Sequence, residues 1–170
     1  MTVNEDVVGA GDEASGEFEL AVNTAEVAKV LPFLEPDEIS RLAAAGEVRR
    51  WETGQVVMGD RQPAGFLAVV LAGKLAIKKA STFPGRYVLL AEIECGGMVG
   101  EGAVVPQGEL DGGGTVVETA AASRLLVLPR ERLQQLLAED RVLGQKLFVR
   151  IIQILRRRLR GAGERLAWIL

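Results

Sequence analysis

Residues 63–80 read PAGFLAVVLAGKLAIKKA: two β-rich runs, Phe66 to Leu71 and Leu75 to Lys79, with Gly73 between them where a turn is expected. The same texture continues on both sides. Upstream lie Val48 to Trp51 and Val56 to Met58, and downstream lies Tyr87 to Ile93. The separators Glu52-Thr53-Gly54, Gly59-Asp60 and Phe83-Pro84-Gly85 are turn chemistries. Short strands at this regular spacing predict a β-roll or barrel.

Further out the period changes to that of helices. Thr24 is the expected N-cap of a short helix carrying Val27, Val30 and Leu31 and ending near Pro32. A second helix is expected to open at Pro36, with Asp37 and Glu38 at the positive end of its dipole, Ile39, Leu42 and Ala43 on one face, and Gly46 at its close. Thr115 to Ala121 and Ser123 to Leu128 read as a further strand pair, after the Gly-rich stretch 106–114. Pro129 then introduces a helix with Leu133, Leu136 and Leu137. Beyond Asp140, Leu143, Leu147, Ile151, Ile154 and Leu155 recur at helical steps on one stripe, which must pack on the roll, on a twin helix, or on both.

Composition narrows the function. Of the 170 residues 48% are hydrophobic and only 5% aromatic, so one aliphatic core is expected. The net charge of −3 gives no general attraction for nucleic acid or anionic lipid. There is no histidine and a single cysteine, Cys95, which excludes intrachain disulfides, Cys/His zinc sites and histidine-based triads. Cys95 is expected to be a buried, inert thiol. No carboxylate spacing selects a catalytic pair, so the chain is not read as an enzyme and no metal site is assigned. Neither a secretory signal nor an apolar run near ~20 residues is present, and a cytoplasmic location is expected.

The order helix, helix, β-roll, Gly-Glu turn, hairpin, helix and long helix resembles the cyclic-nucleotide-binding domain family that includes the bacterial catabolite activator protein. The residues carrying the resemblance are Pro32-Phe33-Leu34, Gly54 in WETGQVV, Gly59-Asp60, the segment 63–80 and Gly100-Glu101 in GGMVGEGAVV. It implies that Glu101 accepts from a ribose hydroxyl, that Gly102 and Ala103, following Gly100, lend backbone N–H groups to a cyclic phosphate, and that an Arg followed by a small residue supplies the counter-charge. At that last position this chain reads Gly114-Thr115, so Thr115 remains as the hydroxyl partner and the guanidinium is missing. Arg61 and Arg86 are the candidate substitutes. Glu109 and Asp111 add negative charge to the same loop, and reduced affinity for cAMP or cGMP is expected.

The resemblance also makes the long helix a dimerisation helix, with Leu147, Ile151, Ile154 and Leu155 as its contact residues. Gly161 and Gly163 suggest a hinge before an apolar end, Leu166 to Leu170, that pairs with a second copy or closes over the cup as a lid. The run Arg156 to Arg160 reads as a solvated face, with nucleic-acid contact a weaker alternative. Transcription factors of the family continue into a helix-turn-helix domain, which this sequence is read as lacking.

The expectation is therefore an α+β, mainly β, cyclic-nucleotide-binding roll: residues 1–16 a disordered tail, 24–140 the roll with flanking helices, and 141–170 the dimerisation or lid helix. Its function is that of a sensor for cAMP, cGMP or a cyclic dinucleotide, or alternatively of a ligand-free scaffold that contacts itself or a protein partner.

Overall fold

The computed structural model describes residues 16–18, 21–59, 65–83, 85–105 and 115–167. Among these, the fold is a mainly β, antiparallel seven-stranded roll flanked by four helices. The strands are β1 (Glu17–Phe18), β2 (Glu47–Trp51), β3 (Val56–Met58), β4 (Phe66–Ala80), β5 (Tyr87–Ile93), β6 (Met98–Val99) and β7 (Thr115–Pro129). Their order is β1-β2-β7-β4-β5, with β3 added on β7 and β6 on β4.

Two long strands organise the sheet, and this corrects the expected turn at Gly73. The runs on either side of Gly73 are one fifteen-residue strand, β4, and the two expected strands after Thr115 are likewise one strand, β7. They pair from Phe66 opposite Pro129 to Lys79 opposite Thr115, and the register shifts between Val70 and Leu75. Gly73 sits at that bend with φ +90, where an added Cβ would lie 2.4 Å from the Ala122 carbonyl oxygen. Across the bend the Ser123 hydroxyl accepts from the Lys74 N–H at 3.1 Å and donates to the Ala121 carbonyl at 2.7 Å. A bulge with its free backbone groups satisfied by one hydroxyl turns the ribbon without ending either strand.

The unbroken apolar run FLAVVL follows from burial on both faces. Leu67, Val69 and Leu71 join Leu126 and Leu128 under the helices, while Phe66, Ala68 and Val70 join Trp51, Val99, Leu125 and Val127 inside the roll. The period-two alternation thus sorts one strand into two cores.

The helices are α1 (Thr24–Val30), α2 (Pro36–Ala45), α3 (Arg130–Glu139) and α4 (Arg141–Ala167). The cap of α1 is Asn23, not Thr24: the Asn23 side chain accepts from Ala25 N–H at 3.0 Å. Pro36 does open α2, where Glu38 accepts from the Glu35 N–H at 2.7 Å and its carboxylate then takes Lys146 of α4 at 2.8 Å. The α3–α4 corner is held by Asp140, which accepts from the Leu143 N–H at 3.0 Å and pairs with Arg41 of α2 at 2.7 Å. Helix α4 runs through Gly161 and Gly163 without a break, so the glycines do not interrupt the helix. Packing and the continuous backbone ladder outweigh a propensity cost of at most ~1 kcal/mol per glycine.

Residues 1–15 of the expected tail and the apolar end 168–170 lie outside the described residues. Gly16 does not belong to a tail: it packs under Trp51, where a Cβ would come within 2.7 Å of the indole. Cys95 is exposed rather than buried, with its Sγ 3.5 Å from the Leu71 carbonyl oxygen. No helix among the described residues is long and apolar enough to cross a membrane.

Candidate functional site

Strand β6 pairs with β4 through Val99 opposite Ala68 and Met98 opposite Val69, and the chain then turns sharply at Gly100. Gly100 has φ +78, and a Cβ there would meet the Phe66 carbonyl oxygen at 2.2 Å, so only glycine fits. A 3-10 turn, Glu101–Val104, follows. The Ala103 N–H closes it onto the Gly100 carbonyl at 2.9 Å. That amide is spent inside the turn and is not free for a phosphate, which corrects the role expected of Ala103; its side chain is buried in the helix-side core.

Helix α3 grips this turn by its carbonyls. The Arg130 guanidinium donates to Val105 at 2.7 Å and to Gly102 at 3.1 Å, and the Gln134 amide donates to Val105 at 3.3 Å. Gly102 therefore meets α3 through its oxygen. The turn is fixed to the helix layer and presents Glu101 on its other side.

Glu101 is half-buried and faces α4. Its Oε1 lies 3.2 Å from Arg158 Nη1, and Arg158 Nη2 donates to the Met98 carbonyl. Burial pushes the Arg158 guanidinium below the ordinary arginine range, and the Glu101 carboxylate opposes that shift. Two more arginines of α4 reach the same stretch of chain: Arg150 donates to the Gly96 carbonyl at 3.5 Å and lies 5.8 Å from the Phe33 ring centre, and Arg165 donates to the Leu90 carbonyl.

The contact of Arg158 with Glu101 is not anticipated by the sequence reading, which groups Arg158 with a solvated run. Arg156, Arg157 and Arg160 are exposed, as expected. Arg158 is not, and the helical period indicates why: it stands four residues after Ile154 and seven after Ile151, on the inward stripe.

The remaining expected residues divide. Thr115 opens β7 opposite Lys79, at the other end of β4 from the residues that pair β6. Arg86 is exposed at the β4–β5 connection, with its guanidinium 5.8 Å from the Phe83 ring centre. Arg61, Gly114, Glu109 and Asp111 lie outside the described residues. On α4, Leu147 and Ile151 are 1% and 6% exposed and pack into this chain's own core, and Ile154 packs beside them, so they are not free for a second copy. The accessible apolar row is instead Phe148, Ile152, Leu155 and Leu159, of which only Leu155 was expected.

Residues 48–140 match the family model described as cyclic nucleotide-binding domain. The chain belongs to that family. No curated protein sequence matches it significantly. Among solved structures, this cyclic-nucleotide-binding domain is similar to a cyclic nucleotide-binding domain from Methylobacillus flagellatus KT: 19% identity, TM-score 0.74, covering 86% of this chain and 84% of that one. The c-di-GMP responsive global regulator CLP of Xanthomonas campestris aligns at 27% identity and TM-score 0.66, over 78% of this chain and 63% of that one. The Thermus thermophilus catabolite activator protein aligns at 20% identity and TM-score 0.63, over 82% of this chain and 62% of that one. The domain thus spans somewhat under two thirds of the last two proteins. In this domain the Gly100–Val104 turn follows β6, is held to α3 by Arg130 and Gln134, and meets Arg158 of α4 through Glu101.

Proposed function

We propose that this chain is a regulatory sensor module, in which a cyclic nucleotide is bound at the Gly100-Glu101 turn and reported through α4. One observation carries the reading: the carboxylate that the family resemblance assigns to the ribose is in direct contact with Arg158 of α4. A ligand that engages Glu101 must change that contact, and any change in it alters how α4 is held. Ligands shift such equilibria only through differential contacts, and this pair is one. The cup has no arginine at the hairpin position before Thr115, so cAMP and cGMP bind weakly, and a cyclic dinucleotide is a competing ligand. The response of the Xanthomonas regulator to c-di-GMP supports including it.

The test is thermal unfolding of the purified chain with cAMP, cGMP and c-di-GMP. A ligand at 100 times its dissociation constant adds ~2.7 kcal/mol of stability. A rise in Tm with at least one of them is expected, and none at millimolar concentration refutes the reading.

A second copy of the chain is the proposed partner. Phe148, Ile152, Leu155 and Leu159 are exposed and follow alternating steps of four, three and four residues, the spacing of a coiled-coil seam. Sedimentation of the wild type as a dimer and of Ile152→Glu as a monomer is the expected outcome. A monomeric wild type at tens of micromolar refutes it.

A further inference from the structure

The Arg158 guanidinium has three nitrogens and incomplete partners. Nη1 reaches a single oxygen of Glu101, Nη2 donates to Met98, and the Nε–H is buried with no acceptor among the described residues. A guanidinium is built to present two parallel N–H groups to a carboxylate or a phosphate. Here it makes one contact to its carboxylate, in a place where burial already disfavours its charge. A desolvated donor left without an acceptor calls for an explanation, and at a guanidinium already facing a carboxylate an absent anion supplies one.

We infer that Arg158 is the cationic partner of a phosphate group at this site, held by Glu101 when the phosphate is absent. The inference rests on the sensor reading above for the identity of the ligand, but the anion site itself does not. In the empty site Glu101 neutralises Arg158. When a phosphate enters, the guanidinium turns its fork to the phosphate oxygens, and the Glu101 carboxylate is released to accept from a ligand hydroxyl. The counter-charge absent from the hairpin is thereby supplied by the long helix. One side chain then couples ligand occupancy to the position of α4.

The probe is inorganic phosphate, titrated against the full chain by calorimetry and thermal unfolding at ionic strength matched with chloride. Wild type is expected to respond to phosphate beyond the chloride control. Glu101→Gln removes the competing carboxylate and should tighten phosphate by roughly tenfold, while Arg158→Met should weaken it by at least about tenfold. A phosphate response of Arg158→Met equal to that of wild type, or one of Glu101→Gln weaker than wild type, overturns the inference. If Arg158→Met fails to fold, Glu101→Gln and the charge-retaining Arg158→Lys decide. The lysine should bind more weakly than arginine, and an unchanged affinity in both variants overturns the inference. Cyclic nucleotides in parallel separate the two claims. Wild-type binding that Arg158→Met leaves intact refutes the role of Arg158 and spares the sensor. An Arg158-dependent phosphate response without any nucleotide binding supports the anion site and refutes the sensor.

Discussion

The two ends of the β4–β7 ribbon are made of the same two strands and have opposite characters. At one end Leu67, Ala68, Val69 and Val70 pair with Leu125, Leu126, Val127 and Leu128, all buried, with helices on one face and the roll interior on the other. At the other end Lys78 and Lys79 lie between β7 and β5, where Glu118 takes Lys78 at 3.0 Å and Tyr87, Val88 and Leu89 are open to solvent. The Gly73–Ser123 bend divides them. Antiparallel pairing runs on both sides of the bend and is interrupted only at it, so backbone pairing is not what distinguishes the two ends. Apolar area removed from water is, at roughly 25 cal/mol per Å². The buried end acts as the anchor on which α3 and α4 are seated, and the Gly100–Val104 turn is fixed beside that anchor.

The largest expected effect tests this contrast directly. Leu126→Ala, at 0% exposure, should lower unfolding free energy by about 3–4 kcal/mol in a urea titration. Val88→Ala, at 55% exposure, should stay within about 0.5 kcal/mol. Comparable losses at both ends would abolish the distinction. Next comes the divider: Gly73→Ala places a Cβ at positive φ against the Ala122 backbone and should cost about 2–3 kcal/mol. A neutral outcome would mean that the bend does not depend on that conformation.

The smallest effect locates an acid-sensitive joint in the anchored half. The hydrogen bond from the Leu143 N–H, aided by Arg41, holds the Asp140 carboxyl below its ordinary value of 3.8, against desolvation. A depressed carboxyl contributes stability that is complete above its unfolded pKa and is lost as pH falls through the folded one. Wild type should therefore lose stability more steeply than Asp140→Asn below about pH 4. Parallel curves for the two proteins would remove Asp140 from the account.

Helix positions and the mainly β character were legible in the sequence because local chemistry fixes them: Pro36 at a first turn, Gly46 at a cap, and apolar runs bounded by turn residues. Gly73 was misread for a physical reason. A glycine between two β runs satisfies a hairpin turn and a bulge equally, and only the partner strand distinguishes them. At Gly73 the partner supplies Ser123, whose hydroxyl satisfies the bulge. Leu147 and Ile151 were misassigned to a second copy because an amphipathic stripe states that a face is buried, not against what.

The order of elements, the aliphatic core, the Gly100-Glu101 turn and the family itself were determined by sequence, since each depends on residue types at short spacing. Tertiary structure alone decided that β4 and β7 are single bent strands, which stripe of α4 remains accessible, and that Arg158 meets Glu101 from 57 residues away along the chain. Those outcomes depend on which surfaces meet, and a buried charge finds its counter-ion through space rather than along the chain.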